Sequence, residues 1–262
     1  MRTLLYPLLL PLLIVLAGCS KPEPVVEVKP VEEKQEVKEE VQPEEPVAEA
    51  KPAEAVSVSP NFKYEIAGDT VTITGCDRKV SGALIIPATI EGKSVTSIGN
   101  GAFAGCSSLT SITIGNSVTW IGESAFRYCT VLARIDISVG NSSFASVDGI
   151  LFNKNQTTIL LCPEGKSGAY SIPDSVTSIG DEAFSDCYRL TSITIPDSVT
   201  SIGDAAFNGC TSLTAVSFLG DAPKEGKEVF KDSVPTIYRK PEAKGWGDTW
   251  GGKPVKLISE KP

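Results

Sequence analysis

A fixed spacing of 23 residues constrains this chain more than its composition does. The stretch Leu190 to Cys210, LTSITIPDSVTSIGDAAFNGC, is nearly a copy of Tyr170 to Cys187, YSIPDSVTSIGDEAFSDC, and a looser copy, LTSITIGNSVTWIGESAFRYC, runs from Leu109 to Cys129. Ile98 and Ile121, Phe103 and Phe126, Cys106 and Cys129, and Leu109 and Leu132 are each 23 residues apart. So are Phe184 and Phe207, Cys187 and Cys210, and Leu190 and Leu213. Apolar residues that return at one phase with a period in the twenties mark a solenoid, in which each period is one coil stacked on its neighbours.

Inside one period, Ile193 and Ile195 alternate at period two and point inward, which leaves Ser192 and Thr194 outside. Pro196 ends that strand because it has no backbone donor. Asp197-Ser198 turns the chain, Val199 to Ile202 forms a second short β-prone piece, and Ala205-Ala206-Phe207 reads as a helical or 3₁₀ turn that seats Phe207 in the core. A single coil cannot hold itself. Its apolar set gives on the order of 10–15 kcal/mol at ~1.5–3 kcal/mol per large side chain. Ordering roughly two dozen backbone units costs more, at ~1–2 kcal/mol each. Stacking at ~4.8 Å covers both open faces and adds ladder hydrogen bonds.

These residues fit the pattern LxxIxIPxxVTxIGxxAFxxC and resemble the BspA-like, or Treponema-type, leucine-rich repeats. The match is most specific at residues 167–212, good at 95–131 and irregular between 132 and 166. With its caps it extends over roughly 61–256. The resemblance implies a β-rich solenoid, a right-handed leucine-rich-repeat-like coil stack with short strands and short helical or 3₁₀ turns. It also implies a bacterial surface protein, since some members bind host or partner proteins. It implies no enzyme and carries over no catalytic residue.

The N-terminus reads as an address. Met1-Arg2 is followed by the apolar run Leu4 to Leu16 and then Ala17-Gly18-Cys19, the layout of a secretory signal at residues 1–18. LAGC looks like a lipobox, so Cys19 is the expected lipidation site and its acyl chains the expected link to the lipid bilayer. The run is too short, and too interrupted by Pro7 and Pro11, for a span of about 20 apolar residues. Ser20 is compatible with outer-membrane sorting. Residues 19–60 form the expected tether: 21–60 hold 11 Glu, 5 Lys, seven Pro and no aromatic residue, a composition that cannot build a packed core. Extended, forty such residues reach on the order of 120 Å. The acidity argues against nucleic acid as a partner.

The solenoid is expected over 61–257, with an N-terminal cap at 61–82, coils at 83–212 and a C-terminal cap at 213–257. Phe62 to Ile66 and Thr70 to Thr74 read as a β-hairpin around Ala67-Gly68-Asp69. The coil starting at Leu132 is 35 residues long where 23 are expected, and the twelve extra residues fit a hairpin near 149–161. Asp148, Asn153 and Asn155 there are read as turn-forming residues rather than calcium ligands. From Ala222 the period is expected to fade. Trp246 and Trp250, in GWGDTWGGKPV, are read as the lid on the last coil, with a glycan platform as the alternative.

Catalytic chemistry is sparse. The chain has no histidine, which removes the usual base for a Ser or Cys nucleophile and the commonest zinc ligand. No phosphate-binding glycine loop is present, and no cofactor or metal is expected. Asp181, Glu182, Asp197 and Asp204 are read as solvated turn residues. Cys106, Cys129, Cys187 and Cys210 share one phase and are expected to form an inward column of reduced thiols; Cys76 and Cys162 fall outside it and are unassigned. The candidate partner face comprises Ser111, Thr113, Arg134, Asp136, Ser171, Ser192, Thr194 and Ser217. The expected protein is therefore a monomeric, non-catalytic, adhesin-like module in the cell envelope, facing an unidentified protein ligand; a purely structural or glycan-binding envelope lipoprotein is the alternative.

Overall fold

The computed structural model describes residues 62–260; the expected signal, Cys19 and tether lie outside them. The described residues coil into a solenoid with two ladders of parallel strands. One ladder comprises Ser81–Ile85, Ser108–Ile114 and Arg134–Ile137, followed by Ser167–Ser171, Arg189–Ile195, Ala215–Phe218, Thr236–Arg239 and Lys253–Leu257. The other runs Thr70–Gly75, Lys93–Ile98 and Trp120–Ile121, then Thr158–Leu161, Ser178–Ile179, Ser201–Ile202 and Lys224–Glu225. Residues one period apart face each other across a rung: Ile112 with Ile135, Ile98 with Ile121, Ile193 with Val216, and Ile179 with Ile202. Equal sequence phase thus becomes direct contact, and all of these residues but Ile121 are buried.

The Ala-Phe segment is not the helical or 3₁₀ turn that the sequence suggested. Among the described residues the one helical element is the 3₁₀ turn Ile258–Glu260. In each regular coil the segment instead alternates tight turns with bonds to the next coil. Ala183 N–H donates to Gly180 O within the coil, while Phe184 N–H donates to Ala206 O across it. Two left-handed residues per coil make this alternation: Ser124 and Tyr128, Glu182 and Asp186, Ala205 and Gly209. Helical backbone would close its bonds internally and leave nothing for the neighbour.

The phenylalanines stack along the axis. Phe103 and Phe126 lie 5.5 Å apart, Phe184 and Phe207 5.0 Å, and Phe207 and Phe230 5.4 Å, with planes within 20° of parallel. Each ladder is broken once into an N-terminal and a C-terminal part, one after Arg134–Ile137 and the other after Trp120–Ile121, and the inserted hairpin fills the gap. Ile150–Asn153 pairs antiparallel with Phe144–Val147 on one side and Thr158–Leu161 on the other. Its side chains alternate between two cores, Ile150 and Phe152 joining the C-terminal one and Leu151 the N-terminal one, as strand periodicity requires. Asn141, buried, fixes the hairpin's entry by donating to Gly115 O and Val118 O and accepting from the N–H groups of Ser143 and Phe144.

The twelve extra residues are the net of an insertion and a deletion. Ile159 pairs with Ile179 and accepts from Gly180 N–H, as Ile179 accepts from Gly203 N–H. Cys162 N–H donates to Ala183 O, as Phe184 N–H does to Ala206 O. Cys162 therefore holds a phenylalanine phase, which assigns it. Yet Ile159 to Cys162 is three residues, where Ile179 to Phe184 is five. This coil's turn is two residues short.

At the other end the period outlasts the sequence expectation. Lys224–Glu225 pairs with Ser201–Ile202, Phe230 stacks on Phe207, and Ser233 Oγ donates to Phe207 O as Cys210 Sγ does to Phe184 O. The expected cap thus begins with a further coil. It was hidden because Glu225 and Ser233 hold phases that are Ile and Cys elsewhere.

Candidate functional site

The expected partner face does not form one continuous surface. Ser111 and Arg134 share one column, and Thr113 and Asp136 the next, in the N-terminal ladder. Ser171, Thr194 and Ser217 are aligned in the C-terminal ladder. Ser192 lies in the neighbouring column there. No strand pairing joins the two ladders among the described residues. Arg134 and Ser171 are exposed, and Ser111, Thr113, Asp136, Ser192 and Thr194 are half-buried. Ser217 is 2% exposed, so it is no part of an accessible face: it shares its column with the buried Tyr238, whose bulk follows on the next rung. Arg134, the one side chain of a type favoured at interface centres, is held by Asp136 at 2.8 Å, and that pairing raises its pKa.

The two tryptophans close the stack. Trp250 is buried against Phe218 and Phe230, at 5.1 and 5.9 Å, and its indole N–H donates to Pro223 O. Trp246 is half-buried against Phe218 at 4.8 Å and donates to Gly220 O. Trp250 therefore offers no open ring to a sugar, which corrects the glycan alternative at that residue. Asn153 turns its Oδ1 to the N–H groups of Thr157 and Thr158, the work of a turn-forming residue.

The six described cysteines are free thiols. Cys129 Sγ donates to Phe103 O at 3.1 Å and Cys210 Sγ to Phe184 O at 3.0 Å. Burial pushes Cys76 up to about 11 and Cys129 up to about 12, and it raises Cys106 and Cys210 as well. For Cys187 the contact with Cys162 comes first and burial second, both raising it. Thiols so shifted are not thiolates at neutral pH, so they are poor nucleophiles.

The shortened turn produces the most distinctive local geometry. Between the turns at 121–127 and 181–186 lies a cleft of about 580 Å³, floored by Phe144, Leu151, Leu160 and Leu161. Its lips carry Glu123, Asp181, Glu182 and Asp186 against Arg127. At one end stands Glu164, 7% exposed, which sequence reasoning missed. In regular coils the second left-handed residue donates to the next coil: Gly105 N–H to Arg127 O, Asp186 N–H to Asn208 O, Gly209 N–H to Lys231 O. Tyr128 holds that phase, and its N–H donates to Glu164 Oε1 at 2.7 Å. Tyr188 O–H donates to Glu164 Oε2 at 3.0 Å. The carboxylate stands in for a carbonyl and ties the coils on either side of the break. Burial raises its pKa, against the two hydrogen bonds that lower it. Gly165 is required beside it, since a Cβ there would lie 2.5 Å from Val131 C and 2.6 Å from Leu132 O.

Asp181 and Asp204 also do more than meet solvent. Each caps the following coil, Asp204 N–H donating to Asp181 Oδ1 at 2.8 Å and Lys227 N–H to Asp204 Oδ1 at 2.7 Å.

Similarity to known proteins agrees with this geometry. The pattern described as the BspA type leucine rich repeat region, in 6 copies, matches residues 85–165 and 166–239, more than half of the chain. No curated protein matches the chain. Among solved structures, a leucine-rich repeat protein from Eubacterium ventriosum is 19% identical, with 72% of each chain covered and a TM-score of 0.49. The pneumococcal vaccine antigen PcpA is 16% identical over 76% of this chain and 84% of its own, at 0.48. The Treponema pallidum leucine rich repeat protein is 27% identical over 68% of each chain, at 0.34. The six repeat copies, in the register that the ladders display, place this chain in the family of BspA-type leucine-rich-repeat proteins.

Proposed function

We propose that the protein is a non-catalytic interaction module of the bacterial envelope, anchored through lipid on Cys19 and presenting its solenoid, adhesin-like, to a protein ligand. The observation that carries the reading is the order of three segments: an apolar leader ending in LAGC, an acidic proline-rich stretch, and a repeat stack. A stack alone needs no tether; a tether of forty charged and proline-rich residues serves to hold a domain away from a surface. The want of histidine and the raised thiols support a role in binding rather than turnover.

The test is metabolic labelling with an alkyne palmitate in a Gram-negative host, combined with protease added to intact cells. Label on the wild-type chain, its loss in Cys19→Ser, and digestion of the solenoid from outside support the reading. Unchanged labelling of Cys19→Ser, or a solenoid protected until the cells are opened, overturns it.

A further inference from the structure

Regular coils of this protein leave few turn hydrogen bonds for a partner, because each turn donates to the next. Gly101, Phe103 and Gly105 donate to Glu123 O, Ala125 O and Arg127 O; Glu182, Phe184 and Asp186 donate to Asp204 O, Ala206 O and Asn208 O. At the break this chain of bonds stops. The corresponding donors of the second coil are Ser124, Phe126 and Tyr128, and only Tyr128 is satisfied, by Glu164. Ser124 N–H and Phe126 N–H have no partner among the described residues, and both residues line the cleft. Across it, Asp181 O and Ser185 O hold the phases that accept in Glu123 and Arg127, and they accept nothing. One lip therefore offers backbone donors, the other backbone acceptors, over an apolar floor.

We infer that this cleft is a docking slot for a short extended peptide segment that carries a Lys or Arg beside an apolar side chain. Such a segment fills the phases that the short turn omits: its carbonyls accept from Ser124 and Phe126, and an N–H donates to Asp181, beside Cys162 and Glu164, which already hold Ala183 O and Tyr128 N–H. Strand addition of this kind draws affinity from the main chain and specificity from alternate side chains. Here one side chain turns down onto Leu160 and Leu161, and its neighbours turn up between Glu123 and Glu182. The four lip carboxylates outnumber Arg127, so the favoured occupant is basic. The same charge repels the chain's own residues 21–60, which hold 11 Glu against 5 Lys, and repels nucleic acid. The slot deepens the interaction reading and rests on it for its biological setting.

The experiment is fluorescence anisotropy of the full chain in detergent micelles with three labelled hexapeptides: Gly-Lys-Leu-Lys-Ser-Gly, the same peptide with both lysines replaced by glutamate, and the lysine peptide N-methylated at leucine. The lysine peptide binds at least about tenfold more tightly than the glutamate peptide, weakens with salt, and loses about tenfold on N-methylation. Glu123→Gln with Glu182→Gln, both on the rim and exposed, weakens it by about tenfold. Inserting Gly-Asp after Ile159 restores the five-residue spacing, closes the slot and abolishes binding; should that variant not fold, the rim pair decides. Equal binding of lysine and glutamate peptides, no binding of either, or an unaffected rim pair overturns the inference. A chain that is lipidated and displayed but ignores the lysine peptide refutes the slot alone. A chain that binds the peptide yet is neither lipidated nor displayed refutes the envelope reading alone.

Discussion

Replacing Glu164 two ways separates its hydrogen bonds from its charge. Glu164→Ala leaves Tyr128 N–H, part-buried at the coil break, without its acceptor, which costs about 1–2 kcal/mol. Loss of the Tyr188 hydroxyl bond adds about 1 kcal/mol, and removing a carboxylate from a buried site returns part of the total. The expected net loss is about 2 kcal/mol, which at a urea slope of about 2 kcal/mol/M moves the unfolding midpoint down by about 1 M. Glu164→Gln behaves differently. Its Oε1 accepts from Tyr128 N–H, its amide donates to the Tyr188 hydroxyl, and the buried charge is gone, so at pH 7 the midpoint stays within about 0.5 M of wild type. The pH dependence follows from the direction of the shift. Burial raises the folded-state pKa of Glu164 above its unfolded value. The folded state therefore binds the proton more tightly, and this group's contribution falls as pH climbs from the unfolded value through the folded one. Glu164→Gln lacks that decline. Hydrogen exchange at the Tyr128 amide provides the local reading: protected in wild type and the glutamine variant, fast in the alanine variant. The reasoning is refuted if alanine and glutamine behave alike, or if the Tyr128 amide exchanges fast in wild type.

Three further outcomes are expected. Phe207→Ala removes a ring stacked on both sides and costs about 5 kcal/mol, whereas Phe126→Ala, stacked on one side and bordering the cleft, costs about 3 kcal/mol; urea unfolding that ranks them the other way contradicts the core assignment. Gly203→Ala sets a Cβ 2.3 Å from Asp181 Oδ1 and 2.5 Å from Asp181 N, costing about 1–3 kcal/mol in thermal melts, while the same change at Gly115, with nothing within 4 Å, costs under about 1 kcal/mol. The folded protein reacts slowly with a thiol-specific disulfide reagent at pH 8 and quickly once unfolded, since Cys129 lies at about 12; a fast stoichiometric reaction of the native column breaks this expectation.

What the sequence displayed was whatever repeats. Ile98 with Ile121, and Phe184 with Phe207, were legible because equal phase on a coil means equal position in the core, and stacking turns the period into contact. Cys162 and Glu164 were not legible. Their meaning depends on a turn that is two residues short, and the long insertion in the same coil masks the deletion in any count of residues. Ser233 was missed for a chemical reason: its hydroxyl makes the same bond to a phenylalanine carbonyl that the cysteine thiols make, so the position is conserved in role while its letter changes. Ser217 was misplaced because period-two alternation tells which way a side chain points, and its exposure depends on the next coil, where Tyr238 stands. Asp181 and Asp204 looked like surface charge because their acceptors serve a residue 23 positions on, beyond the reach of local turn rules.

The defect in the stack is also where a partner has most to gain. In a perfect solenoid every coil satisfies the next, and the sides present short polar residues such as Ser192 and Thr194 that give a ligand little to hold. Breaking the repeat releases backbone donors, acceptors and apolar side chains in one place. The chain then repairs part of the break with Glu164 and Gly165, which keeps the two ladders joined. Full repair with a five-residue turn was open to it, since every other coil of the stack uses one. A coil that keeps the fold intact while leaving Ser124 N–H and Phe126 N–H without a partner among the described residues combines rigidity with an open rung, and a preorganised edge of that kind binds an incoming strand without first having to order itself.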